Sequence, residues 1–84
     1  MLQIEYLSEY SSAYTDIYVS KALINIKDII YITATTIGNT SHIVIGIGGR
    51  EFILTSSSAS KIFEAMVITK DDVFYYGRYS YIHQ

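Results

Sequence analysis

The chain contains neither cysteine nor proline. Without thiols there is no disulfide and no cysteine-based zinc cage, so nothing in the sequence marks an oxidising compartment. Without proline, the punctuation falls to glycine, serine and asparagine. Charge is also scarce: 17% of residues are charged, the net charge is −2, and the six basic residues stand singly at Lys21, Lys27, Arg50, Lys61, Lys70 and Arg78. A sequence-independent grip on a phosphate backbone needs clustered cations, which disfavours nucleic acid as a partner. The two histidines, His42 and His83, do not cluster with carboxylates in the way a metal cage would require, so neither metal nor cofactor is expected. Asn25, Lys27 and Asp28 interrupt the longest apolar region, well short of the roughly 18 residues that span a bilayer, and no membrane partner is expected. The first residues, Met1-Leu2-Gln3-Ile4-Glu5, lack the positive segment and apolar run of a signal peptide, which makes the cytoplasm the expected compartment.

What the chain does have is apolar surface. Half of its 84 residues are hydrophobic and the mean hydropathy is +0.25. A chain this short makes one domain, 1–84, that buries only about two-thirds of its unfolded surface. Apolar packing must therefore supply its stability.

Residues Leu2 to Leu7 alternate with the period of a half-buried strand, and β-branched density favours another over Tyr14 to Ser20. Between them, Glu9 to Ala13 reads as a loop. From Ala22 to Thr36 the alternation places Ile24, Ile26, Ile30 and Ile32 on one face and Leu23, Ile29 and Tyr31 on the other, with a bend or bulge at Lys27-Asp28. Ile37-Gly38-Asn39-Thr40 has the composition of a hairpin turn, His42 to Ile47 returns as a strand, Gly48-Gly49 turns again, and Glu51 to Thr55 leaves. The period then changes. Ala59, Ile62, Phe63 and Met66 fall at helical spacing behind three candidate N-caps, Ser56, Ser57 and Ser58, predicting a helix over 58–67. Val73 to Ile82 reads as an aromatic strand, or two short ones folded at Gly77. The expected fold is α+β: a small antiparallel sheet or partly closed barrel of about five to six strands with one amphipathic helix.

Strands apolar on both faces need cover on both, because each square ångström left in water forfeits about 25 cal/mol. One short helix covers one face. Self-association is the favoured source of further cover, with closure into a monomeric barrel as the alternative.

The succession Ile17-Tyr18-Val19, then Ile26-Lys27-Asp28-Ile29-Ile30-Tyr31-Ile32 (I-x-x-I-x-Y-I), then Gly49 to Ser56 (G-x-x-x-x-x-x-S) and an amphipathic helix resembles the small FlbD-like flagellar and phage proteins over residues 14–67. The resemblance implies a sheet with one helix, no catalysis and action through protein contacts. A phage-encoded, host-directed inhibitor or regulator, working as a viral protein in the host cytoplasm, fits the same profile.

Several segments carry candidate chemistry. Gly46-Ile47-Gly48-Gly49-Arg50 has the composition of a phosphate cradle but neither P-loop nor dinucleotide spacing, and a hairpin turn is the simpler account. The helix start offers a better anion site, with Ser57 and Ser58 hydroxyls and backbone N–H groups pointing outward, Lys61 one turn in, and Arg50 as a further cation. A nucleotide is the small molecule this set would suit. His42 and Asp71-Asp72 have no visible partners for acid–base or nucleophilic work, so no enzyme is expected. The least ordinary feature is the tail, where Tyr75, Tyr76, Arg78, Tyr79 and Tyr81 gather residues that dominate protein hot spots and can also stack on bases. Packing as an edge strand is the plainer alternative. The primary expectation is a non-enzymatic interaction module, homo-oligomeric, presenting this tail to another protein; the alternative is a binder or sequestering protein for a nucleotide or other anion.

Overall fold

The computed structural model describes residues 1–8 and 18–69, and the backbone of 78–80. The fold is α+β. Strands β1 (Leu2–Ser8) and β2 (Tyr18–Ile24) pair antiparallel. A 3₁₀ turn, Ile26–Asp28, leads into β3 (Tyr31–Ile37), β4 (Thr40–Ile47) and β5 (Arg50–Ile53), followed by helix α1 (Ser56–Met66) and a short β6 (Arg78–Ser80). The second sheet has the order β5-β4-β3-β6, antiparallel throughout. Among the described residues one isolated bridge, Tyr6 to Leu54, joins the two sheets, and the strands there do not close into a barrel.

Gly38, Gly48 and Gly49 all have positive φ, between 56° and 82°. This is what lets both turns be tight, and the hairpins follow the sequence expectation. Register then sets the faces. Ile32 lies opposite Ile45, Ala34 opposite Ile43, and Phe52 opposite Ile45, all on the side where α1 packs. Ile4, Ile24, Ile29, Ile32, Ile45, Leu54 and Ile62 form the centre of the core.

The run from Ala22 to Thr36 differs from its expected form. The bend at Lys27-Asp28 is a full 3₁₀ turn, which ends β2 at Ile24 and restarts the ladder at Tyr31. A 3₁₀ turn resets the period of two. Ile29 consequently enters the core at 0% exposure, while Ile30, expected beside Ile32, stands at 36%.

Helix α1 begins at Ser56, and its N-cap is Thr55, whose side chain accepts from the Ser58 N–H at 3.4 Å. The serines expected as caps lie inside the helix. Strand β1 explains the shift: Thr55 N donates to the Glu5 carbonyl at 3.1 Å, the Ser58 hydroxyl accepts from Glu5 N at 2.7 Å, and Thr55 is thereby held at the boundary. At the other end, Val67 N–H donates to Glu64 O and Ile68 N–H to Phe63 O. This is a Schellman closure with valine at φ 56° where glycine is usual. Among the described residues no helix is long and apolar enough to cross a membrane.

Candidate binding site

The Gly48-Gly49 turn delivers Arg50 to the first position of β5, and strand alternation puts Arg50 and Phe52 on the same face. Tyr6 reaches that face from β1, brought there by the Tyr6–Leu54 bridge. Its ring meets Phe52 edge-on, with centroids 4.9 Å apart and planes at 81°. The Arg50 guanidinium sits 4.6 Å from the Phe52 centroid and 5.7 Å from that of Tyr6, and its Nη2 donates to the Tyr6 hydroxyl at 3.4 Å. Arg50 is exposed, Tyr6 half-buried and Phe52 buried, so a cation stands at the surface on an aromatic base anchored in the core. Stacking holds the guanidinium plane while its rim of N–H donors remains suited to a carboxylate or phosphate.

A second feature lies between the start of β4 and α1. A half-open groove of about 350 Å³ has a floor of Ile43, Leu54, Ala59 and Phe63 and polar walls that include His42, Ser56 and Ser60. That volume is at the lower end of small-molecule sites.

The expected anion-binding residues are not gathered in one place by any contact among the described residues. Arg50 is engaged with Tyr6 and Phe52. Ser57 is exposed, with its hydroxyl 3.4 Å from that of Thr55, and Lys61 is exposed on α1. The hydroxyl of Ser58, expected to point outward, is turned inward: the residue is 1% exposed and its oxygen is taken by Glu5 N. Of the tail, the backbone of Arg78 and Tyr79 lies in β6, opposite Thr33 and Ile32 respectively. Tyr75, Tyr76 and Tyr81 lie outside the described residues, as do Asp71, Asp72 and His83. Among the described residues no three His, Asp or Glu side chains gather as a metal ion would require.

Sequence reasoning missed Tyr6 and Phe52 as partners of Arg50. Alternation along β5 was enough to place Phe52 beside Arg50, but the approach of Tyr6 across 44 positions has no local signal. Fold and surface together define a small α+β domain with a preorganised arginine–aromatic patch. No protein-family model, no curated protein and no solved structure matches the chain.

Proposed function

We propose that the domain is a non-enzymatic interaction module that binds another protein through the Arg50–Tyr6–Phe52 patch. The stacked guanidinium carries the proposal. Arginine and tyrosine are enriched at the energetic centres of protein interfaces, and a side chain already ordered by stacking loses less entropy when a partner arrives. A partner offering a carboxylate beside an apolar side chain would satisfy both the N–H rim and the aromatic base. Affinity capture from the native cell with wild-type protein and Arg50→Ala tests it, with Lys61→Ala as a surface control. A partner retained by wild type and Lys61→Ala but lost with Arg50→Ala supports the proposal; one retained equally by all three removes Arg50 from it.

A second reading, a binder for a nucleotide or other small molecule, rests on the groove beside α1, whose lining has His42 and three serines but none of Arg50, Ser57, Ser58 or Lys61. A thermal-shift screen of mono-, di- and cyclic nucleotides discriminates between the two, since a ligand at 100 times its dissociation constant adds about 2.7 kcal/mol. A flat screen leaves the protein-binding reading standing.

A further inference from the structure

The side of β1 and β2 facing away from the core carries Gln3, Glu5 and Leu7 on one strand and Val19, Lys21 and Leu23 on the other. Their register sets Leu7 opposite Val19, Glu5 opposite Lys21 and Gln3 opposite Leu23. Val19 is 54% and Leu23 65% exposed, two apolar side chains flanking the exposed Lys21, beside half-buried Glu5 and Leu7 on the neighbouring strand.

We infer that this face packs against the same face of a second copy, about a two-fold axis running along the strands. The charge pattern selects both the occupant and the axis. Such an axis lays β1 over the partner's β2, so that Glu5 meets the partner's Lys21, Leu7 the partner's Val19 and Gln3 the partner's Leu23, each contact occurring twice. A two-fold across the strands would set Glu5 over the partner's Glu5, and like charges oppose that arrangement. Edge-to-edge pairing of β2 is disfavoured for a similar reason. Lys21 is the central residue of Tyr18–Ile24, so full overlap of two antiparallel copies places it against the partner's Lys21. A seven-residue, two-stranded face is about 23 Å long and roughly 10 Å wide. At roughly 230 Å² per partner that is well below what a stable dimer buries, so the association is weak, selected by the charge pairs more than by area, and develops at high micromolar concentrations and above.

This face lies on the opposite side of β1 from the Arg50 patch, and Arg50→Ala is expected to leave self-association unchanged. Sedimentation velocity across a concentration series tests it, with circular dichroism confirming each fold. Wild type is expected to dimerise. Lys21→Glu alone and Glu5→Lys alone should each weaken self-association at least tenfold, because each brings like charges together. An equimolar mixture of the two variants should form a heterodimer, since both of its charge pairs are again opposite. Val19→Glu, at an exposed site clear of the β1–α1 hydrogen bonds, should also abolish the dimer. A monomeric wild type, or a Val19→Glu or Lys21→Glu variant that dimerises as wild type does, overturns the inference.

Discussion

The Tyr31 ring lies across Gly46 on the neighbouring strand, and its hydroxyl donates to the Glu51 carboxylate one strand further on. A Cβ built at position 46 would fall on the ring itself, inside contact distance of Cδ2, Cε2 and Cζ. Glycine in the middle of a strand forgoes packing, and here the tyrosine supplies it from across the ladder. The two residues therefore form one unit spanning β3, β4 and β5.

Gly46→Ala should consequently destabilise the domain by about 1–3 kcal/mol, as overpacking does, because the ring must swing away and release Glu51. In a Tyr31→Ala background the same change should be neutral or gain up to about 1 kcal/mol, since alanine orders more cheaply than glycine. Urea denaturation of the four proteins of the cycle measures the coupling. Equal costs in both backgrounds would show that the two residues act independently.

Ser58 and Ser57 are adjacent and chemically identical, yet they should behave differently. Ser58→Ala removes the acceptor of a part-buried hydrogen bond from Glu5 N and should cost about 1–3 kcal/mol. Ser57→Ala, at an exposed site, should stay within about 0.5 kcal/mol of wild type. Thr55→Ala, which removes the cap, should cost about 0.5–2 kcal/mol, with Thr55→Ser recovering most of it. Chemical denaturation of the set reads this order directly.

Val67 is 91% exposed and adopts φ 56°, ψ 45°, a left-handed conformation that costs a residue with a Cβ about 1–2 kcal/mol. Val67→Gly relieves the strain and loses almost no contact, and should raise stability by about 1 kcal/mol. For a domain of this size that is a melting-temperature gain of roughly 4–8 °C. An unchanged or lowered melting temperature would show that valine makes a contribution at this position beyond its backbone.

Removing the Arg50 side chain should cost the fold only about 0.5–1 kcal/mol, the scale of an exposed cation–π contact. Ile62→Ala, which empties part of the core from a fully buried position, should cost about 2–5 kcal/mol. Thermal denaturation separates the two. A loss at Arg50 comparable to that at Ile62 would make the arginine a structural element and not a recognition element.

Local chemistry made much of the fold legible. The two glycine turns could be read because their conformation is nearly a property of glycine itself, and α1 because Ala59, Ile62, Phe63 and Met66 keep helical period. Sequence logic failed where a distant segment decided a local outcome. Glu5 lies 53 positions from Ser58, yet its backbone draws that serine inward and leaves Thr55 as the cap. Ile29 and Ile30 exchanged places because two strands of one period, separated by a 3₁₀ turn, look like a single strand until the turn is known. Of the candidate site, Arg50 was visible as an isolated cation. Its aromatic base was not, because Tyr6 reaches it only through the pairing between the sheets.

Native mass spectrometry of the protein gently recovered from its own cellular setting tests most directly whether the domain works by binding another protein. The account predicts a complex that retains a second, different polypeptide, which Arg50→Ala releases. Recovery of the chain bound only to a small molecule, or with no partner other than copies of itself, would contradict it.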